Sequence, residues 1–159
     1  MLSGFYSSEL VLIATAAVLF YAAHTDLRHY KIRNELIAAL AVLFFVHALV
    51  SGRWVDAHWN IAFAFLMFIV MLILYSRHLM GGGDVKLLTI AFLWTGIGCA
   101  LPFALLLLLF SGMHVLAAKL GWAETRRSDD DERKRIPFAP SVAGALIGVF
   151  MLGCLAPLP

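Results

Sequence analysis

Two aspartates, Asp26 and Asp84, stand at the borders of long apolar stretches, in a chain whose other charges gather in short polar segments. A carboxylate beside hydrocarbon is costly, and such groups face a wet cavity or pair with another group. Two carboxylates within a few ångströms cannot both ionise easily, so they share a proton and divide the work. The ionised member takes a proton from an attacking water. The protonated member donates to a scissile carbonyl and later to the leaving amine. This is peptide-hydrolysis chemistry, and it requires neither a metal nor an organic cofactor.

Asp84 follows three consecutive glycines, Gly81, Gly82 and Gly83. Irregular backbone at membrane depth is tolerated only where protein or a water-filled cavity satisfies its polar groups. A glycine loop has no side chains to block approach, so an extended substrate could exchange main-chain hydrogen bonds with it, as in strand addition. Plainer roles stand beside these. Asp84 is suited to N-cap a helix that runs on from Val85. Asp26 would oppose the dipole of a helix C-terminus, with Arg28 or Lys31 near enough to neutralise it.

The elements that must position these groups follow from composition. The chain has 159 residues, 62% hydrophobic and 14% charged, with a mean hydropathy of +0.90. Soluble domains do not reach such values, so an integral membrane protein is expected, all-α and polytopic. Uncharged apolar stretches run over Leu10–Ala23, Leu36–Gly52, Ala57–Ser76, Leu87–Ala118 and Ile136–Pro159. A span needs roughly 17 to 25 residues. As one helix, the stretch Leu87–Ala118 would be roughly 48 Å long, against a hydrocarbon core of about 30 Å. It should fold back where Gly96, Gly98 and Pro102 loosen or interrupt the helix.

That gives six transmembrane helices, two of them short. Lysine and arginine placement tests this count, because cytoplasmic loops carry the positive excess. With six spans, Arg28, Lys31, Arg33, Arg77, Lys86 and the run from Lys119 to Arg135 fall on one side, and Arg53 alone falls on the other. A single long span would abolish this asymmetry. The expectation is therefore a single domain over 1–159 with both termini periplasmic. The N-terminus lacks the basic region of a cleavable signal peptide, so the first stretch is retained as a helix. On this topology Asp26 and Asp84 lie at the same depth on the cytoplasmic face.

Other features point away from further chemistry. The net charge of +2 is too small to argue for a nucleic-acid partner. Cys99 and Cys154 lack metal or redox spacing and read as buried thiols. The six histidines, His24, His29, His47, His58, His78 and His114, show no zinc-ligand spacing, so no metal is expected; His29 and His78 fall on the cytoplasmic side. Tyr21, Tyr30, Trp54, Trp59, Tyr75 and Trp122 suit an interfacial belt beside membrane lipids. The run Asp129-Asp130-Asp131-Glu132, with basic residues on either side, reads as a solvated loop. Lys86 either tunes the aspartates or snorkels to headgroups. Asn34 is placed to bond backbone where the second helix begins.

Three segments together resemble the type IV prepilin peptidases. Asp26-Leu27-Arg28, with Ile32-Arg33-Asn34-Glu35-Leu36, is similar to the family's first-aspartate motif, in which Ile-Pro-Asn-x-Leu follows. Gly81-Gly82-Gly83-Asp84-Val85-Lys86-Leu87 is similar to its G-x-G-D block. Ile136-Pro137-Phe138-Ala139-Pro140 resembles the Ile-Pro-Phe-Gly-Pro segment that opens the last helix. Arg33 stands in place of the usual proline, and Ala139 in place of a glycine. The resemblance implies a multi-pass inner-membrane aspartyl endopeptidase with Asp26 and Asp84 as its catalytic pair and no cofactor. Its partner would be a prepilin, cut at the cytoplasmic face to release a short basic leader. The chain has no paired C-x-x-C motifs and no room for a methyltransferase or zinc-binding segment. It is thus similar to the short, peptidase-only type of tight-adherence (Flp) pilus systems. The alternative is a non-enzymatic pilus-assembly component or small transporter, in which the aspartates cap helices or relay protons.

Overall fold

In the computed structural model, residues 2–29, 32–120 and 137–154 are described, and every regular element among them is helical. The helices are α1 (Leu2–His29), α2 (Asn34–Val50), α3 (Trp54–Ser76), α4 (Gly82–Thr95), α5 (Ala100–Lys119) and α6 (Ala139–Met151). Three contain segments long and apolar enough to cross a membrane, Ser7–His29, Ala57–Ser76 and Ala100–Lys119. The other three are shorter, at 17, 14 and 13 residues for α2, α4 and α6. The acidic run 129–132, Tyr30, Lys31 and Trp122 lie outside the described residues.

α4 and α6 form the heart of the bundle. α4 buries Val85, Leu87, Leu88 and the whole run Ala91–Thr95, and α6 buries Ala139, Ser141–Ala143, Ala145, Leu146 and Val149. α1 and α4 do not pack directly on each other; α2 and α6 each lie against both. α3 and α5 are peripheral, and their exposed surface is apolar: Phe65, Leu66, Leu105 and Leu108 all point outward. In water such a surface would aggregate; against acyl chains it is solvated.

Trp94 is the largest fully buried side chain. Its indole Nε1–H donates to the Leu40 carbonyl at 3.1 Å, and its ring meets Phe44 and Phe150 at centroid distances of 5.7 and 5.4 Å. One residue therefore ties α4 to both α2 and α6. α6 also sits close on α5, because glycines on its contact face let the backbones approach. A methyl group on Gly148 would come within 2.9 Å of Leu106, and one on Gly144 within 3.4 Å of Phe110.

The long apolar stretch does fold back. α4 stops at Thr95, α5 starts at Ala100, and Gly96 takes φ +55° between them. Pro102 lies in the first turn of α5, where its missing N–H would have had no helical acceptor. Asn60, on α3, donates from Nδ2 to the Leu93 carbonyl at 3.2 Å and so satisfies an orphan acceptor at the end of α4. A side chain at residue 96 would run into that Asn60 amide. Gly96→Ala is thus expected to cost about 1–3 kcal/mol, read as a lowered thermal unfolding midpoint in detergent.

The two cysteines are not separate thiols. Cys99 and Cys154 form a disulfide, with Cα atoms 6.1 Å apart. Chain spacing hides the pair because 55 residues separate them, and only the antiparallel return of α6 brings them together.

Candidate active site

Both aspartates lie at one end of the bundle, where α1, α3 and α5 finish and α2, α4 and α6 begin. Asp26 is not beyond the end of the first helix, as the apolar pattern suggested, but in the last turn of α1, where it is only 6% exposed. Its partner comes from the far end of the sequence. The Ala139 amide at the start of α6 donates to Asp26 Oδ2 at 3.0 Å, and the Phe138 amide adds a weaker bond. A carboxylate at the positive end of a helix is favourably placed. The dipole of α6 thus compensates Asp26 for its position at the C-terminal end of α1. Pro140, in the first turn of α6, cannot donate a backbone bond and its φ is fixed, which stiffens this anchor.

Asp84 is the third residue of α4, not its N-cap; Gly81 holds that place, with extended φ and ψ of −75° and 146°. The Asp84 carboxylate turns back to accept the Gly81 amide, as the acidic residue of a capping box does. Gly82 and Gly83 belong to the first helical turn and do not form a loop. Glycine is a poor helix former, and the packing here would admit a methyl group at either position. A methyl group at residue 82 would lie 3.4 Å from the Tyr75 ring, and one at 83 would lie 3.6 Å from Ile32.

Gly81 has the stricter requirement. A side chain there would come within 2.9 Å of Asp84 Oδ2, so the carboxylate would have to swing away. Gly81→Ala is expected to lower turnover about tenfold or more, since small misplacements of a reacting group are costly. Thermal stability should change by less than about 1 kcal/mol, and assaying cleavage beside unfolding separates the two effects.

The carboxylates interact electrostatically, although α1 and α4 do not pack on each other. Asp84 precedes the uncharged stretch that begins at Leu87. Burial, and then the charge of Asp26, push it up to about 6, and the Gly81 hydrogen bond only partly offsets this. Of the supporting residues, Lys86 and Asn34 meet each other: Lys86 Nζ donates to Asn34 Oδ1 at 3.0 Å. The lysine therefore joins the starts of α4 and α2. Arg33, in the place of a proline, has φ −73° and ψ 135°, the conformation a proline would hold. Its Nε donates to Glu35 Oε2 at 2.6 Å.

His29 and His78 are exposed. The histidine that acts electrostatically on Asp26 is His114, on α5. Its position in the sequence, inside an apolar run, gave no sign of this. Among the described residues no group of three His, Cys, Asp or Glu side chains is arranged to hold a metal ion.

Each motif found in the sequence is thus tied to another. The first aspartate segment meets the glycine–aspartate block through Asn34 and Lys86, is coupled to it electrostatically through the two aspartates, and meets the start of α6 through Ala139. A sequence model of the type IV leader peptidase family matches residues 13–125, well over half of the chain. That match spans both aspartates and ends before the segment that opens α6. No curated protein and no solved structure matches the chain.

Proposed function

The chain belongs to the type IV leader peptidase family, and on that premise we propose that it is an intramembrane aspartyl endopeptidase whose catalytic pair is Asp26 and Asp84. The observation that carries this reading is the electrostatic coupling of two carboxylates from helices far apart in sequence. Asp26 Oδ2 is occupied by the Ala139 amide, which leaves Oδ1 to take a proton from the attacking water. Asp84 holds its proton more tightly than a free carboxylate and is the donor to the scissile carbonyl. As the gem-diol intermediate collapses, the proton gained by Asp26 passes to the leaving amine and a hydroxyl of the intermediate returns a proton to Asp84, so the pair is reset.

The substrate is a prepilin of the Flp-like type, and the bond cut joins a short basic leader to the pilin helix. Cleavage takes place at the cytoplasmic face of the inner membrane, on a six-span chain with periplasmic termini. The lysine and arginine asymmetry supports this orientation. So does the disulfide, at the end of the bundle away from the aspartates, because such bonds persist in oxidising compartments. Gly81, Gly82, Gly83, Lys86 and Asn34 support the pair by shaping and joining the helix starts that carry it. Lipid covers α3 and α5.

The test is leader removal from a purified Flp-type prepilin by the full chain in liposomes, followed by the mobility and N-terminal sequence of the product. A new N-terminus at the leader junction is expected; an uncut precursor would refute the reading. The pH profile gives a second check. The donor must be protonated, so kcat/KM should fall as pH rises through about 6. The observed midpoint would belong to the pair. A rate that climbs steadily to alkaline pH would contradict Asp84 as the acid.

A further inference from the structure

The two helices that form the heart of the bundle also carry or hold both reacting groups. α4 presents Asp84 from its first turn, and the first amide of α6 holds Asp26 Oδ2. At their other ends the same helices are cross-linked. Cys99 follows the C-terminal turn of α4 and is the N-cap residue of α5, and Cys154 lies just beyond the end of α6. We infer that the Cys99–Cys154 disulfide is a positioning element for the aspartate pair, so that full turnover is reached only once this far end has been oxidised. The inference rests on the reading of Asp26 and Asp84 as the catalytic pair.

The physical reason is rigidity. α6 has 13 residues and is roughly 20 Å long at 1.5 Å per residue, short enough to move as a rod. Displacement or rotation at Cys154 is therefore delivered to the Ala139 amide. α6 packs against α1, α4 and α5, and the bridge adds a covalent tie at the end remote from Asp26. The faces that meet α5 are Gly144 and Gly148 against Phe110 and Leu106, and flexible ends of side chains can yield to a sliding helix. Among the described residues the hydrogen bonds to Asp26 come from backbone amides at the start of α6, so a shift of α6 turns its carboxylate. Misplacement by about 1 Å can cost up to about a hundredfold in rate.

Closing the bridge converts two thiols into one disulfide and releases two electrons and two protons. The acceptor by class is a thiol–disulfide oxidase of the oxidising compartment. Cys154 is partly exposed and Cys99 is only 6% exposed. The Cys154 thiolate attacks the oxidase disulfide, displacing one oxidase sulfur as a thiolate. The Cys99 thiolate then attacks the mixed disulfide at Cys154, and the oxidase leaves as a dithiol. Access is available in the opposite direction as well. A cavity of about 140 Å³, lined by His47, Arg53, Asn60 and both cysteines, reaches the bridge.

The experiment uses the full chain in liposomes as the wild type, as the wild type treated with a phosphine reductant, and as the double variant Cys99→Ser/Cys154→Ser. Each is assayed well below its unfolding transition for kcat, KM and amide exchange in the segment 137–142. The expected result is a fall in kcat of about tenfold with little change in KM and faster exchange in that segment. The reductant should reproduce this in the wild type and do nothing further to the double variant. If the double variant does not fold, the reduced wild type gives the decisive reading. A folded, bridge-free protein with wild-type kcat and unchanged exchange would overturn the inference, leaving the disulfide a stabilising staple only. If Asp84→Asn is inactive in that same assay, the catalytic reading survives and only this inference falls. If Asp84→Asn still cleaves, both fall.

Discussion

Asp84→Asn is expected to lower kcat/KM for leader removal by about 10²–10⁴-fold, the range a positioned acid or base contributes, and to leave the protein folded. Asparagine keeps an oxygen that can accept the Gly81 amide, so the start of α4 retains its cap. What it loses is the proton. The effect of the substitution on stability has the opposite sign and depends on pH. A carboxyl whose folded pKa is raised from 3.8 to about 6 makes the folded state less stable as pH rises from about 4 through 6. The variant escapes this penalty. At pH 8 it should unfold at the same temperature as the wild type or higher, and at pH 4 the difference should vanish. An inactive protein that is not destabilised is the signature of a group kept for chemistry at some cost to the fold.

The second large effect separates Asp26 from its partner. Asp26→Asn should abolish cleavage to the same degree as Asp84→Asn, yet its carbonyl oxygen can still accept the Ala139 amide. Asp26→Ala should be equally inactive and also less stable, by about 1–3 kcal/mol, because the Ala139 amide is left buried without an acceptor. Thermal unfolding of the two variants in the same detergent, beside the cleavage assay, reads both quantities. Equal stability of the Asn and Ala variants would mean that the start of α6 does not depend on Asp26. The pattern expected is one reactant that also caps its own helix and another that also anchors a neighbouring helix.

Much of this arrangement is legible in the sequence, because its causes are local or global but not intermediate. The apolar runs and the glycines at 96 and 98 determine where the chain turns, since a helix through that whole stretch would be far longer than the hydrocarbon core is thick. The two aspartates stand out because a carboxylate beside hydrocarbon needs a reason. The hidden features depend on residues meeting across the bundle. The partner of Asp26 lies 113 positions away, and the disulfide joins residues 55 apart. Propensity misleads at Gly82 and Gly83, which look like a loop and form the first turn of α4. Lys86 has two roles by chemistry alone, tuning the aspartates or reaching headgroups, and the bond it makes to Asn34 is neither of them. The burial of Trp94 at the junction of α2, α4 and α6 is hidden in the same way, since a tryptophan near a span end also suits an interface.

The central claim is that two carboxylates, brought in by separate helices, act as a single acid–base unit. The measurement that tests it most directly is a double-mutant cycle on kcat/KM for leader cleavage in liposomes, with Asp26→Asn, Asp84→Asn and the variant carrying both. Groups that act as a unit are strongly non-additive, so both single variants and the double variant should fall to one shared residual rate. A double variant slower than either single variant by the product of their separate effects, or a single variant that still cleaves at close to the wild-type rate, would contradict it.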